Sequence, residues 1–327
     1  MKLRWKVLVL VGVGLGAAWV LLGRLPYVPV PAPHDWRPAP TYAAAVARID
    51  SIRAHEGPEI NPECHTRLLG PGIRTSNVLV IFHGFTNCPK QFDPMARDFV
   101  RLGYNVYIPR LPRHGMADRM TEELRHLTAE EMVRAGEDAV DIAAGLGDHV
   151  TVTGLSSGAV LAGWVAQQRP EVDGAVMIAP AFAPRPVPAP AARQVAGALL
   201  KLPNFFVWWD SKQGARLGGP KQCYPRFASH ALAEVYRLGF SVIEGTERLG
   251  LDPGVTVLIT AEGDEGVNNA MTADLARTLR SHGSNVRTYE FPESLHVRHD
   301  MIDKDQAYQR VSVTYPAIES LVVRCGR

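Results

Sequence analysis

The chain has 327 residues, of which 46% are hydrophobic and 21% are charged. This balance excludes an intrinsically disordered protein and gives enough length for one large core or two modest cores. The formal net charge of +2 is spread along the chain without a basic stripe interleaved with aromatic residues, which argues against a nucleic-acid partner.

The N-terminus combines a cationic end with a long apolar run. Lys2, Arg4 and Lys6 precede residues 7–22, sixteen uncharged and mostly apolar residues. That length lies between a signal-peptide core of about 7–15 residues and a spanning helix of about 17–25. Because no persuasive A-x-A cleavage site follows the run, we expect residues 1–25 to be a signal anchor with the rest of the chain on the extracytoplasmic side. Secretion after signal cleavage is the alternative.

A proline-rich interval follows the apolar run. Six prolines lie between residues 26 and 40, a density that favours an extended, semi-rigid conformation. The sequence therefore predicts a stalk and linker over 26–60 and a folded domain over 61–327.

Short apolar runs then alternate with longer helical patterns. This alternation is typical of an α/β fold with a doubly wound, mostly parallel sheet. The predicted strands are 78–82, 105–109, 150–153, 174–179, 255–260 and 286–291, and the predicted helices are 92–102, 129–146, 157–168, 268–282 and one within 306–323.

One long interval breaks the alternation. Residues 183–248 separate two predicted strands by more than a simple crossover needs, and they contain alternate prolines followed by an aromatic run at 205–209. An insertion at the carboxyl edge of the sheet predicts a helical cap. An extra packing layer away from that edge is the alternative.

A serine lies in the turn between the third predicted strand and its helix. The sequence runs Gly154-Leu155-Ser156-Ser157-Gly158. This is the spacing of a nucleophile elbow, in which the turn strains the serine backbone and the flanking glycines let strand and helix approach without a Cβ clash. An ordinary strand-to-helix turn is the alternative for so short a pattern. Ser156 is the candidate nucleophile.

A carboxylate follows the fifth predicted strand. A serine nucleophile needs a base, and the base needs an orienting acid that comes between serine and histidine in this kind of fold. Asp264 lies in the turn directly after strand 255–260, where such an acid must stand. Glu262 and Glu265 are the neighbouring alternatives, and we expect them to be solvated.

Two histidines compete for the role of base after the last predicted strand. His299 begins the segment that leads towards the last helix, whereas His296 lies nearer the strand. We favour His299 from its loop position, and His296 stays the alternative.

A turn after the first predicted strand supplies backbone donors. In the sequence His83-Gly84-Phe85, the Phe85 N–H is one candidate donor to a developing oxyanion, and the N–H of Ser157 is the other. His83 precedes the serine in the chain, so we expect it to orient the turn.

Four cysteines complete the candidate residues. Cys64 and Cys88 border the first strong strand pattern, and we favour a disulfide between them; free buried thiols are the alternative, also for Cys223 and Cys325. The Cys and His spacings do not fit a metal site, so none is expected.

Together, the His83-Gly84-Phe85 turn, the elbow at Ser156, Asp264 and His299 resemble the α/β-hydrolase superfamily, in its carboxylesterase and monoacylglycerol-lipase-like branch. The resemblance covers residue 78 to the C-terminus. It implies hydrolysis of a hydrophobic or lipid-like ester through an acyl-enzyme on Ser156, with His299 as base, Asp264 as orienting acid and no cofactor. Ala159 departs from relatives that have a second glycine after the elbow.

Other functions stay open from the sequence. The same triad also serves acyltransferases and amidases. A membrane-tethered binding protein of the same fold without catalysis is a candidate from another class. The sequence does not determine the oligomeric state.

Overall fold

The computed structural model describes residues 30–31, 35–210, 219–249 and 254–325. The expected signal anchor at 1–25 lies outside these residues. Within the described ranges, no helix is both long enough and apolar enough to cross a membrane.

A twisted sheet of seven strands forms the centre of the described chain. The strands in chain order are β1 (Arg67–Leu69), β2 (Thr75–Phe82), β3 (Asn105–Ile108), β4 (Gly147–Leu155), β5 (Val172–Ile178), β6 (Phe206–Trp208), β7 (Arg226–Ala228), β8 (Val255–Ala261) and β9 (Val286–Phe291). The large sheet has the order β1-β3-β2-β4-β5-β8-β9, and β6 pairs with β7 in a separate antiparallel ribbon. Only β1 is antiparallel to its neighbour in the large sheet, so the predicted α/β class is confirmed.

Helices connect the strands and cover the sheet. In the described chain they are α1 (Tyr42–Ala54), α2 (Asp93–Arg101), α3 (Ala129–Leu146), α4 (Ser157–Gln168), α5 (Ala189–Lys201), α6 (Ser229–Leu249), α7 (Asn269–Ser281) and α8 (Val311–Cys325). Short 3₁₀ turns occur at Pro62–Cys64, Pro89–Phe92, Glu123–His126 and Glu293–Leu295.

Strong local signals gave correct helix bounds. The prediction for α3 is correct because Thr128 and Glu131 form a capping box that begins the helix. The prediction for α4 also agrees, since the elbow sets its first residue. By contrast, α8 begins within the predicted interval 306–323 but ends beyond it, at Cys325.

The stalk prediction for 26–60 is wrong for the residues that form α1. Thr41 caps this helix through a hydrogen bond from Ala44 N, and the buried side chains of Ala45 and Ile49 pack in the core. The preceding segment is also held, because Asp141 accepts hydrogen bonds from the backbone N–H groups of residues 37 and 39. The apolar residues of α1 are mostly alanine, so their periodicity gave a weak signal.

The insertion at 183–248 is also shorter than predicted. Helix α6, which was assigned to the cap, packs against α4 and α5 with Val235, Leu238 and Val242 fully buried. Gln167 on α4 donates hydrogen bonds to Val242 O and Thr246 Oγ1 on α6. Helix α6 is therefore the crossover that leads to β8, and the cap consists of α5, the β6/β7 ribbon and their connections.

A disulfide joins Cys64 to Cys88, which confirms the favoured pairing. It connects the 3₁₀ turn at Pro62–Cys64 to the chain just after β2. Cys223 and Cys325 are free. The carboxyl ends of β2, β4, β8 and β9 lie at one edge of the sheet, and the candidate residues follow those ends.

Candidate active site

Ser156 lies in a strained turn between β4 and α4. Its backbone has φ 58° and ψ −114°, a conformation that costs a non-glycine residue about 1–3 kcal/mol. The Ser156 N–H donates to Ile178 O on β5 at 2.9 Å, which holds the turn against the sheet. Ser156 is 8% exposed, and it lines a cavity.

Glycines allow this turn to pack closely. A Cβ on Gly154 would lie 2.3 Å from the carbonyl carbon of Gly158, and a Cβ on Gly158 would lie 2.0 Å from Phe82 O on β2. Both distances are far below a normal carbon contact. The structure thus bears out the close approach that the glycine spacing predicted.

The buried Asp264 and the half-buried His299 form a hydrogen-bonded pair. Asp264 follows β8 and His299 follows β9, and His299 Nδ1 lies 2.8 Å from Asp264 Oδ2. The other carboxylate oxygen of Asp264 accepts from Gly266 N at 2.7 Å and Val267 N at 3.3 Å. These bonds fix the orientation of the carboxylate, and the carboxylate in turn fixes the imidazole.

Burial and charge act in opposite directions on this pair. Burial opposes ionisation of Asp264, but the charge and hydrogen bond of His299 and the two backbone N–H groups outweigh it and lower the pKa of Asp264. Burial also opposes the imidazolium, yet the Asp264 charge and hydrogen bond raise the pKa of His299 to about 9. The arrangement therefore stabilises a positive charge on the imidazole.

The alternative residues lie outside this pair. Glu262 accepts from Glu293 N at 2.8 Å, and the Glu265 side chain is exposed. His296 is exposed in a left-handed conformation at the end of the Glu293–Leu295 turn. Geometry thus brings His299, and not His296, to Asp264.

The turn after β2 presents an unpaired backbone donor. In the described chain, neither the N–H of Phe85 nor that of Ser157 has a hydrogen-bond acceptor. Gly84 N donates to Gln91 Oε1 at 2.8 Å, which holds the start of the turn. Ser157 is the first residue of α4, so its N–H belongs to the positive end of the helix dipole.

His83 orients this turn from beneath. Its Nε2 accepts from Leu111 N at 3.1 Å, and its Nδ1 lies 3.0 Å from Gly84 O. Burial holds the pKa of His83 well below its ordinary value, and the nearby His114 and Arg110 lower it further. His83 is therefore neutral, and it is fully buried away from the cavity.

A cavity of about 1030 Å³ brings these elements together. Phe85, Ser156 and His299 lie on its wall. The cap also contributes to it, through Pro184, Pro186, Trp208, Trp209 and Tyr224. The predicted insertion therefore lies over the candidate residues.

The cap is hydrogen-bonded to the turn after β2. Trp209 Nε1 donates to Thr86 Oγ1 at 2.9 Å, and Tyr224 N donates to Thr86 O at 2.8 Å. The sequence showed the aromatic run that contains Trp209, but no local signal connects it to Thr86. Among the described residues, no cluster of His, Cys, Asp and Glu side chains is placed to hold a metal ion.

A family comparison agrees with this geometry. Residues 74–302 match the α/β-hydrolase family described as serine aminopeptidase, S33. The chain belongs to this family. The matched residues include the elbow at Ser156, the turn after β2 and the Asp264/His299 pair.

The relatives of this protein include a lipase. The protein is 31% identical over 128 residues to a thermostable monoacylglycerol lipase from Bacillus sp. (strain H-257), a match covering 39% of this chain and 48% of the relative. The match thus spans about half the length of that enzyme.

Solved structures share the fold. One, reported with the metagenome-derived lipolytic enzymes LipS and LipT, has a TM-score of 0.60 at 21% identity and covers 81% of this chain and 99% of its own. A monoacylglycerol lipase from Paleococcus ferrophilus also has a TM-score of 0.60, at 17% identity, covering 80% of this chain and 98% of its own.

The elbow packing predicts a large effect of one methyl group. Replacing Gly158 with Ala forces α4 away from β2, and we expect a loss of about 2–3 kcal/mol in the free energy of unfolding, measured by urea denaturation. The matched control is Ala159→Gly, one residue along the same helix, which should cost about 1 kcal/mol. Equal unfolding curves for the two variants would contradict the close-packing argument.

Proposed function

We propose that the protein is a serine hydrolase that cleaves carboxylic esters through an acyl-enzyme on Ser156. The observation that carries this proposal is the placing of Ser156, on a strained elbow, in the same cavity as His299, whose imidazole is held by Asp264. The family match and the lipase relatives support it.

The proposed reaction begins with proton transfer from Ser156 to His299. His299 Nε2 takes the proton as Ser156 Oγ attacks the ester carbonyl, and Asp264 stabilises the imidazolium that forms. The imidazolium then gives its proton to the departing alcohol, which leaves an acyl group on Ser156. Water, deprotonated by the same imidazole, then attacks the acyl carbonyl, the bond between the acyl group and Ser156 Oγ breaks, and the imidazolium returns its proton to Ser156 Oγ as the acid leaves.

The N–H groups of Phe85 and Ser157 form the oxyanion hole in this mechanism. Both lack an acceptor in the described chain, so each is available to the substrate oxygen. Each such donor contributes about 3 kcal/mol to stabilising the transition state. The N-terminal end of α4 adds a favourable dipole at the same point.

The substrate we propose is a neutral, hydrophobic ester of the monoacylglycerol type. The cap places Trp208 and Trp209 on the cavity wall, which favours an acyl chain. Two of the relatives are monoacylglycerol lipases. The cavity of about 1030 Å³ is large enough for one acyl chain and a small alcohol.

The roles of the two histidines are tested by alanine variants. We expect His299→Ala and Ser156→Ala to lower kcat for a short p-nitrophenyl ester by at least about three orders of magnitude, because each removes a member of one catalytic unit. The matched control, His296→Ala, should keep near wild-type activity. Fluorophosphonate should label the wild type and not Ser156→Ala. An inactive His296→Ala beside an active His299→Ala contradicts the assignment.

The raised pKa of His299 predicts an alkaline pH dependence. The base must be neutral, and a pKa of about 9 keeps it protonated at neutral pH, so kcat/KM should rise with pH towards about 9. In Asp264→Asn the stabilising charge is lost. The inflection should therefore move to lower pH, and kcat/KM should fall by about three to four orders of magnitude.

A carboxylate in the same turn provides the control for this pH profile. Glu262→Gln makes the same carboxylate-to-amide change, and it should leave both the inflection and the rate near those of the wild type. An inflection that stays in place in Asp264→Asn contradicts the role given to that residue.

We also propose that residues 1–25 anchor the protein with its hydrolase domain on the extracytoplasmic side of a membrane. The cationic end and apolar run support this location, and the disulfide between Cys64 and Cys88 fits an oxidising compartment.

Cell fractionation and thiol alkylation test this location. The full chain should stay with membranes after a carbonate wash, with Cys64 and Cys88 resistant to alkylation until a reductant is added. A control chain without residues 2–25 should be found in the cytoplasm with both thiols reactive. Recovery of the full chain in the cytoplasm with reduced cysteines contradicts the proposal.

A further inference from the structure

Two buried polar side chains join the turn that carries Phe85 to the loop that carries His299. Asn87 is 3% exposed and Asp303 is 1% exposed. Asn87 Nδ2 donates to Asp303 Oδ2 at 2.9 Å. Asn87 follows Phe85 by two residues, and Asp303 follows His299 by four, so the bond lies close to both proposed catalytic groups.

The sheet alone does not bring these groups together. The turn follows β2 and the loop follows β9, and these strands are four positions apart in the sheet order. At about 4.8 Å per strand, their ends are separated by about 19 Å. His299 also lies eight residues beyond the end of β9. The loops must therefore be positioned by contacts of their own.

The hydrogen bond between Asn87 and Asp303 is such a contact. In the described parts of the chain, it is the only hydrogen bond between residues 83–88 and residues 296–303. The other hydrogen bonds of the turn are made within it, to the 3₁₀ turn that follows, to Leu111 or to the cap. Those of the loop are made within it, to the residues that precede and follow it, to the turn after β8 or to α8.

Both side chains are held so that neither can rotate freely. Asn87 Oδ1 accepts from Cys88 N at 2.9 Å. Asp303 Oδ1 accepts from Asp305 N at 3.0 Å. Rotating either side chain would break a second bond, which makes the geometry of the pair specific.

The carboxylate supplies a charge-assisted acceptor. Burial raises the pKa of Asp303 to about 6, and the negative charges of Asp300 and Asp305 act in the same direction. The hydrogen bonds from Asp305 N and Asn87 act against this rise. Both oxygens of Asp303 accept from N–H groups, as those of an ionised carboxylate do. A hydrogen bond to a buried carboxylate is stronger than one between neutral groups.

We infer that Asn87 and Asp303 form a positioning link that sets the oxyanion turn at a fixed place relative to His299. This inference rests on the proposed function and adds two positioning residues to it. Neither residue needs to touch the reacting atoms, since the link acts by fixing the position of Phe85 relative to His299. Loss of the link should misplace a transition-state donor, and a shift of about 1 Å can cost about 100-fold in rate.

A reciprocal exchange of the two side chains tests the link. Asn87→Asp places two carboxylates against each other. Asp303→Asn leaves a side chain with only one oxygen, so Asn87 Nδ2 and Asp305 N can no longer each donate to a separate oxygen. In the double variant Asn87→Asp/Asp303→Asn the bond between the two side chains can form again with donor and acceptor reversed, and the bonds from Cys88 N and Asp305 N keep their direction. All three variants keep the size and shape of the side chains.

The expected result is a rate effect that the exchange reverses. Each single variant should lower kcat on a p-nitrophenyl ester by about 10- to 100-fold with KM changed less than about threefold. The double variant should recover kcat to within about threefold of the wild type. Because the loss is in the transition state, kcat/KM should fall in parallel.

The control separates positioning from stability. Asn105 is a buried asparagine at the start of β3, and its Nδ2 donates to Ile73 O and Leu146 O, far from the carboxyl edge of the sheet. Asn105→Asp should lower the free energy of unfolding, measured for every variant by urea denaturation, without lowering kcat of the folded protein.

Two other outcomes overturn the inference. Single variants that lose stability but keep wild-type kcat would show a structural role only, and a double variant no better than the singles would exclude the link. A wild-type protein that is folded yet hydrolyses no ester and does not react with fluorophosphonate would instead refute the proposed function, and with it the inference that rests on it.

Discussion

The close contact between the elbow and β2 is the constraint on which the rest of the site depends. Helix α4 begins so near β2 that a Cβ on Gly158 would overlap Phe82 O. Ser156 lies in the turn at this contact, with a positive φ of 58°. The strain is offset because α4 is buried almost throughout, with Val160, Leu161 and Val165 in the core. A rigid, central helix thus presents one serine at the edge of the sheet.

The other proposed catalytic groups are placed by separate devices around that fixed serine. Hydrogen bonds at Asp264 set the imidazole of His299, and His83 supports the turn of Phe85 through Leu111 N. In each case, hydrogen bonds satisfy the polar atoms of a buried side chain. This is the condition under which buried polar groups give a specific geometry without a large desolvation cost.

The cap is part of the same hydrogen-bonded structure. Thr86 accepts from Trp209 Nε1 and from Tyr224 N, so the ribbon over the cavity is connected to the residue beside Phe85. On the other side of the turn, the disulfide ties Cys88 to Cys64. The cap surface and the proposed oxyanion donor are therefore held as one unit.

The sequence by itself determined the class of fold, the order of the central elements and the elbow. These depend on local patterns: apolar runs, helix caps such as Thr128 with Glu131, and glycines at a set spacing around Ser156. It also left His296 and His299 open. Only the tertiary structure decided which of them meets Asp264, that α1 packs on the domain, and that α6 belongs to the sheet's helical layer. It alone joined Asn87 to Asp303 across 216 residues. Such contacts form between side chains far apart in the chain, and no local pattern of residues encodes them.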